Sequence, residues 1–327
     1  MTVDQEVEKL GYLSRTIPEG LKLPEEILRL KKEKNAVILA HYYVDAEIQK
    51  LADYVGDSLA LAQASKKTDA AMIVFCGVHF MAETAKILNP TKKVVLPDLH
   101  AGCSLADSAN EEDFRMFKAK YPEAVVVSYI NCSAEVKSMS DYICTSSNAV
   151  DVVRAIPADR EIIFAPDENL GKYVQSVTGR KMHIWEGACI VHVNISVDKL
   201  NRLLEKYPEA ELIAHPECMS EVLEKANFIG STKALLDYVQ VSPASTFIVA
   251  TEAGILFKMR EAVPHKKIIP APAVESNTCA CSECPYMKMN TLEKLYNAMY
   301  YEAPEINIDE KIRIGARRAL DNMLQLG

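Results

Sequence analysis

Lys181-Met-His-Ile-Trp-Glu-Gly-Ala-Cys189-Ile-Val-His192 is the stretch that indicates the fold, because its pattern occurs again elsewhere in the chain. A basic residue opens the stretch, a strand-like run follows, and a turn of small residues leads to a cysteine. Lys92-Lys-Val-Val-Leu-Pro-Asp-Leu-His-Ala-Gly-Cys103 has the same order, and Lys266-Lys-Ile-Ile-Pro-Ala-Pro-Ala reaches Cys284 after a longer loop. The intervals between the three cysteines are 86 and 95 residues, and self-similarity at a nearly constant interval indicates an internal repeat.

Strand-like apolar runs recur with the same period. The first run of each repeat is Ala36-Val-Ile-Leu-Ala-His-Tyr-Tyr43, Ala124-Val-Val-Val-Ser-Tyr-Ile-Asn131 or Ala210-Glu-Leu-Ile-Ala-His-Pro-Glu217. A hydroxyl residue comes seventeen residues after His41, Tyr129 or His215 and opens a helical pattern; these residues are Ser58, Ser146 and Thr232. A second apolar run then ends in a polar residue, which is His79, Asp167 or Glu252. The repeat therefore extends well beyond the cysteine segments.

Continuous apolar strands that alternate with helices indicate parallel sheets buried on both faces. We therefore expect an α/β protein of three homologous small domains, at 22–108, 109–194 and 195–290, with parallel sheets arranged around a pseudo-threefold axis and a central active site. The segments 1–21 and 291–327 are expected to cover this body. Helices are predicted near Pro24–Lys34, Thr291–Glu302 and Asp309–Leu326.

Composition and charge exclude several classes of protein. No apolar run approaches the about 20 residues of a membrane span, and the first residues lack a secretory apolar core, so a soluble cytoplasmic protein without membrane contact is expected. In a reducing compartment, nine cysteines favour metal ligation, catalysis or buried packing over a disulfide framework. A net charge of −8 argues against nucleic-acid binding, which needs clustered basic residues.

Ligands of parallel sheets bind beyond the carboxyl ends of the strands. If three domains turn these ends toward one cavity, Cys103, Cys189 and the third cysteine converge there. Three cysteines are too few for a closed four-cysteine site, but they suit a four-iron cluster with one open iron that acts as a Lewis acid. For a single cysteine, buried packing is the common alternative.

The ordered motifs of the chain resemble those of the quinolinate synthase family, the iron–sulfur enzymes of de novo NAD biosynthesis. The resemblance covers nearly the whole chain. Its motifs are His41-Tyr-Tyr43, Gly56-Asp-Ser58, Gly102-Cys103, Tyr129-Ile-Asn131, Thr145-Ser146-Ser147, Gly187-Ala-Cys189-Ile-Val-His192, His215-Pro-Glu217-Cys, Gly230-Ser-Thr232 and Cys284-Pro-Tyr-Met-Lys.

The resemblance implies three homologous α/β domains around one 4Fe–4S cluster per chain, held by Cys103, Cys189 and Cys284 with one iron open. It implies the condensation of iminoaspartate with dihydroxyacetone phosphate to quinolinate, with loss of phosphate and two waters. An aspartate oxidase or dehydrogenase is then expected to supply the iminoaspartate. Cys279 and Cys281 crowd the loop before Cys284 in a Cys-x-Cys-x-x-Cys arrangement, where some family members carry Cys-x-x-Cys-x-x-Cys. Their role as a redox-sensitive pair or as plain loop residues stays open.

Substrates with two carboxylates or a phosphate need hydrogen-bond donors. The hydroxyl candidates stand at helix starts, where simple N-capping is the alternative use; they are Ser58, Ser146, Ser231 and Thr232. The imidazole candidates for binding are His41, His192 and His215, of which His215 is also expected to carry protons.

Three further strand-end residues complete the predicted site. Tyr43, Tyr129 and Asn131 are expected to orient substrate, and the two tyrosines to protonate a leaving hydroxyl. Glu217 is the only carboxylate in the three equivalent motifs and is the candidate base. The predicted catalytic residues are therefore Glu217, Tyr43, His215 and Tyr129, with Glu217 and His215 also binding substrate.

Two other functions fit the same residues. The first is an iron–sulfur hydro-lyase that acts on a small hydroxy acid and needs no phosphate site. The second is an iron–sulfur or redox-sensing binding protein in which Cys279 and Cys281 are the operative pair. Product formation with dihydroxyacetone phosphate separates the first alternative from the condensation, and any turnover removes the second.

Overall fold

The computed structural model describes residues 1–274 and 282–326, and within them it forms three four-stranded sheets. The first sheet contains β1 (Ala36–His41), β2 (Tyr54–Gly56), β3 (Met72–Cys76) and β4 (Lys93–Val95). The second contains β5 (Val125–Tyr129), β6 (Tyr142–Cys144), β7 (Ile162–Ala165) and β8 (His183–Ile184). The third contains β9 (Glu211–Ala214), β10 (Phe228–Ile229), β11 (Thr246–Ala250) and β12 (Lys267–Pro270).

All three sheets have the same topology. Their strand orders are β2-β1-β3-β4, β6-β5-β7-β8 and β10-β9-β11-β12, and every strand pair is parallel. The predicted α/β class with parallel sheets in three similar units is confirmed. The boundaries at 108/109 and 194/195 and the symmetry axis stay predictions.

The central strands form because their apolar residues are buried on both faces. In β1, Ile38, Leu39 and Ala40 are fully buried although their side chains alternate between the two faces of the sheet. The central strand β11 is buried along its whole length. Such runs have no solvent face, so they require helices above and below the sheet.

The connections between strands are mostly helical. The helices before the first strand are α1 (Val3–Leu10) and α2 (Leu23–Glu33). Those from the first sheet to the second are α3 (Ala46–Leu51), α4 (Ser58–Lys67), α5 (His79–Leu88), α6 (Ser104–Asp107) and α7 (Glu111–Ala119). Those of the second unit and its exit are α8 (Ala134–Ser138), α9 (Ala149–Ala155), α10 (Glu168–Thr178), α11 (Ile190–Val193) and α12 (Val197–Lys206). The remaining helices are α13 (Ser220–Leu223), α14 (Thr232–Val241), α15 (Ile255–Ala262), a 3-10 turn (Met287–Met289), α16 (Leu292–Tyr301) and α17 (Glu310–Gln325).

The terminal helices cover the first two units. Helix α16 packs on α2, and α17 packs on α8 and β6. Their buried residues belong to one apolar cluster that also contains core residues of the first and second sheets, whereas the third sheet has separate clusters on its two faces. The three predicted outer helices are confirmed to within one residue at each end.

Within the described residues, the helices are all too short or too polar to cross a lipid bilayer.

Candidate active site

A cavity of about 640 Å³, counting its open mouth, lies where the three units meet. Its polar lining comes from all three units and consists of His41, Tyr43, Asp57, Ser58, Cys103, Tyr129, Asn131, Thr145, Ser146, Cys189, His192, His215, Glu217, Thr232, Glu252 and Cys284. Its apolar lining is Val78, Phe80, Met81, Val191 and Met287. No lysine or arginine of the described ranges 1–274 and 282–326 lines the cavity.

The cavity has this position because of the strand order. In each sheet the first and third strands lie side by side, and their connections leave in opposite directions, which opens a crevice at their carboxyl ends. His41 ends β1, Tyr129 ends β5, and His215 directly follows β9. The three crevices therefore contribute equivalent residues to one space.

Each of the three predicted cysteines lines this cavity. Cys103 and Cys189 are the residues immediately before α6 and α11, whereas Cys284 lies in irregular chain before the 3-10 turn at Met287–Met289. All three are free thiols. Cys279 and Cys281 lie outside the described residues.

The electrostatics of these thiols favour a cation beside them. Burial raises the pKa of Cys103 to about 12, raises that of Cys189 well above its ordinary value and also raises that of Cys284. Grouped buried thiolates are stable only beside compensating positive charge, which is the condition for metal ligation. Ligand atoms of Cys189, His192 and Glu217 also lie within 4.8 Å of one another, so a metal site at this end of the cavity fits the residues present.

Glu217 is the most connected polar group of the cavity. Its Oε1 accepts a 2.5 Å hydrogen bond from the Tyr129 hydroxyl, and its Oε2 lies 3.1 Å from His192 Nδ1. Burial favours the neutral acid, but the neighbouring imidazoles of His192 and His215 and the Tyr129 hydroxyl outweigh it and lower the pKa of Glu217. Glu217 is therefore a carboxylate at neutral pH. Burial and the Glu217 charge raise the pKa of Tyr129 well above its ordinary value, so the phenol keeps its proton.

Behind Glu217, a threonine that the sequence patterns did not indicate links the three units. Thr251 Oγ1 lies 3.0 Å from His192 Nε2 and 3.1 Å from the Tyr43 hydroxyl, which is also 2.8 Å from Thr232 Oγ1. His192 Nδ1 lies 3.1 Å from Glu217 Oε2 without hydrogen-bond geometry, and a carboxylate beside this nitrogen favours the tautomer that carries the imidazole proton on Nδ1. Nε2 is then the acceptor from the Thr251 hydroxyl, which in turn accepts from Tyr43.

His41 and His215 have the same local geometry, as their repeat positions predict. The ring Nδ1 of each accepts from the backbone N–H two residues later, at Tyr43 and Glu217. Burial lowers the pKa of each imidazole to about 3. Both rings are consequently neutral at pH 7 with the proton on Nε2, and His215 Nε2 lies 3.1 Å from Ser146 Oγ.

The four predicted hydroxyl residues have different positions. Ser58 and Thr232 are the first residues of α4 and α14 and line the cavity. Ser146 also lines it, two residues before the N-cap of α9. Ser231 is not among the lining residues; its Oγ accepts from Ala234 N and caps α14. Of these four residues, only Ser231 is observed to cap a helix. Helix α4, which Ser58 begins, is capped by Asp57 instead.

Two close backbone approaches explain glycines beside the site. A Cβ at Gly187 would collide with Pro166 O and Ser108 Oγ, so the turn before Cys189 requires glycine. A Cβ at Gly254 would lie 2.7 Å from Tyr43 Cα, where the third unit meets the first. Alanine at Gly254 would displace Tyr43, which lines the cavity, and alanine at Gly187 would displace the turn that leads to Cys189.

The structure thus gathers every predicted site residue except Ser231 around one cavity. Thr251, Glu252, Asp57 and the apolar wall formed by Phe80 and Met81 were missed. For Glu252 a signal existed, since it ends the second strand of its repeat as Asp167 does. For Thr251 the sequence carries no comparable signal, because its partners come from other units.

Comparison with known proteins agrees with this geometry. A family model described as quinolinate synthetase A protein matches residues 25–325. The quinolinate synthase of Rippkaea orientalis is 58% identical over 315 residues, which cover 95% of this chain and 96% of that protein. The quinolinate synthase of Gloeothece citriformis is 60% identical over 297 residues, which cover 91% of each chain. That of Trichormus variabilis is 59% identical over 314 residues, with coverage of 95% and 96%.

Proposed function

This chain belongs to the quinolinate synthetase A protein family, and we propose that it is a quinolinate synthase that condenses iminoaspartate with dihydroxyacetone phosphate in the central cavity. The products are quinolinate, phosphate and water. The observation that carries the proposal is the convergence of three cysteines and three sets of polar strand ends on one enclosed space.

Cys103, Cys189 and Cys284 would hold a 4Fe–4S cluster with one open iron. Their fit rests on three partly buried thiols around one cavity whose described lining contains no Lys or Arg. When bound, such a cluster supplies a Lewis acid for a substrate hydroxyl or carboxylate.

Neutral hydrogen-bond donors and helix N-termini would bind the phosphate and carboxylate groups of the substrates. Ser58 and Thr232 begin ten-residue helices whose free N–H groups attract phosphate or carboxylate. Ser146, whose Oγ accepts from the Nε2–H of the neutral His215, would offer its own hydroxyl proton as a further donor. Asn131, whose buried Oδ1 has no hydrogen-bond partner in the described structure, would accept from the amine or imine nitrogen of iminoaspartate.

Proton transfer falls to Glu217 and its neighbours. As an ionised carboxylate, Glu217 would remove protons from the substrates as the carbon–carbon and carbon–nitrogen bonds of the ring form. Tyr129 would give its proton to a leaving hydroxyl and recover one from the protonated Glu217 across their 2.5 Å hydrogen bond. His192, oriented by Thr251, would hold the Glu217 carboxylate and receive excess protons. His41 and Tyr43 would position the second substrate from the first unit.

Enclosure protects the labile substrate. Iminoaspartate hydrolyses in water, so a site that excludes water prevents this loss. Glu217, His192 and His215 are each at most 3% exposed.

We also propose that the chain acts in the cytoplasm near an aspartate oxidase or dehydrogenase that forms iminoaspartate.

The test is anaerobic purification followed by iron and sulfide analysis and a quinolinate assay with iminoaspartate generated in place. We expect about four irons per chain and quinolinate formation that depends on dihydroxyacetone phosphate. A colourless protein with one zinc would contradict the cluster. Dehydration of a hydroxy acid without dihydroxyacetone phosphate would indicate the hydro-lyase instead.

A further inference from the structure

The third cysteine is held in a different way from the other two. Cys103 and Cys189 each follow a short edge strand and begin a helical turn, in which their carbonyls accept from Asp107 N and Val193 N. Cys284 follows β12 after a longer segment and begins no α-helix. Its position therefore needs another anchor.

That anchor is the carboxyl end of β11. Glu252 Oε1 accepts a 3.0 Å hydrogen bond from Cys284 N, and Glu252 Oε2 accepts a 2.6 Å hydrogen bond from Gly254 N. Beside it, Ala253 N donates to Ser282 O at 3.0 Å. The backbone around Cys284 is thus attached to β11 on both sides of Glu283.

The burial of Glu252 makes this use of a carboxylate informative. Its side chain is fully buried, and no Lys or Arg nitrogen of the described chain forms a salt bridge with it. Burial raises the pKa of Glu252 to about 8, and the two backbone N–H groups that donate to its oxygens offset part of the cost of burying it. A neutral glutamine could accept only through one oxygen, so one of the two N–H groups would face an amide donor.

The equivalent residue of the second unit serves as a comparison. Asp167 lies at the same end of β7, but its Oδ1 accepts from Leu170 N and caps α10. The glutamate is one methylene longer and reaches a different chain segment. Equal strand positions therefore support a helix in one unit and a cysteine loop in the other.

We propose that Glu252 is a positioning residue that fixes the backbone of Cys284 at the cluster site. The proposal rests on the proposed function for the identity of the bound group. It predicts that loss of the Glu252 carboxylate loosens the Cys284 segment locally and makes the third thiolate the weakest point of the cluster.

The experiment compares the anaerobically purified full chain with Glu252→Gln and Glu252→Ala, and with Asp167→Asn as the matched control. Iron loss to a chelator and hydrogen exchange of the Cys284 amide are measured on the same preparations, with melting temperature alongside. We expect Glu252→Gln to lose iron about tenfold faster and its Cys284 amide to exchange about tenfold faster, as loss of one hydrogen bond worth about 1.4 kcal/mol implies, and Glu252→Ala to exceed both. Asp167→Asn should match wild type in both rates.

Wild-type exchange at Cys284 together with wild-type iron loss in Glu252→Gln would overturn the proposal. So would equal acceleration in Asp167→Asn, because the effect would then be general destabilisation. Failure of the proposed function has a different signature: the wild-type chain itself would carry no iron. The exchange rate of the Cys284 amide still reports the Glu252 contact in that case.

Discussion

The second and third units share one backbone topology but differ in the chemistry of their strand ends. The second unit presents Tyr129 at the end of β5 and Asn131 just after it, whereas the third presents His215 and Glu217 at the equivalent repeat positions just after β9. Phenol and amide groups orient and donate, whereas a carboxylate ionised at neutral pH accepts protons. The comparison indicates that the same scaffold carries different side chains in its units, with the proposed general base, Glu217, in the third.

The same contrast recurs one strand further on. Asp167 after β7 stabilises its own helix, whereas Glu252 after β11 holds the segment of Cys284. The second unit therefore brings its cysteine through regular structure. The third brings its cysteine through a carboxylate contact, which side-chain substitution is able to break.

The largest expected effect is on the cysteines themselves. Cys189→Ser and Cys284→Ser should each abolish cluster assembly, because a cluster with only two protein thiolates lacks a ligand set of this type. Iron content and visible absorbance after anaerobic reconstitution measure this. Cys279→Ser and Cys281→Ser serve as controls and should assemble normally. Cluster loss in Cys281→Ser with retention in Cys284→Ser would show that the third ligand is assigned to the wrong residue.

The next effect concerns Glu217 and its second-unit counterpart Asn131. Glu217→Gln should keep fold and cluster but lower quinolinate formation by about 10²–10⁴-fold, the usual contribution of a general base. Asn131→Ser should cost only about tenfold, as expected for one lost hydrogen bond of about 1.4 kcal/mol. The kcat of both variants is compared at equal cluster loading. Near wild-type turnover in Glu217→Gln would remove it from the mechanism.

A smaller effect, on the pH dependence of stability, is expected to distinguish His215 from Tyr129, which ends the equivalent strand of the second unit. Burial lowers the pKa of His215 to about 3, against about 6.5 for an unperturbed imidazole, so between these values the unfolded chain binds more protons than the folded one. The stability tied to neutral His215 is complete above about pH 6.5 and falls as the pH drops toward 3.

His215→Asn should therefore reduce the loss of stability between pH 6.5 and 5, by up to about 1.4 kcal/mol per pH unit for one proton. Tyr129→Phe should leave that pH dependence unchanged, because a phenol does not titrate there. Urea midpoints at several pH values provide the measurement. An unchanged slope in His215→Asn would contradict the neutral buried imidazole.

The smallest expected effect is on the free energy of unfolding and concerns Asp167. Asp167→Ala should lower the free energy of unfolding by about 1 kcal/mol through loss of the α10 cap, whereas Asp167→Asn keeps a capping oxygen and should change it less. Urea unfolding of both variants measures the difference. Equal losses in the two variants would indicate that the charge of Asp167, rather than its cap, stabilises the unit.

The sequence by itself determined the local elements and their repetition. Continuous apolar runs such as Ala36–His41 require burial on both faces, so they specify parallel strands without knowledge of their neighbours. The equal spacing from His41 to Ser58 and from His215 to Thr232 fixed which residues stand at strand ends and helix starts. Because parallel strands place these ends on one edge, most of the cavity lining followed.

Only the tertiary structure decided which of these groups touch. Tyr129 and Glu217 are 88 residues apart and His192 and Thr251 are 59 apart, yet each pair lies within 3.0 Å. No local pattern encodes such a contact, since it depends on how separate units pack. The same packing lowers the pKa values of His41 and His215 and turns Glu252 toward Cys284, because burial and hydrogen-bond partners arise only when the units close around the cavity.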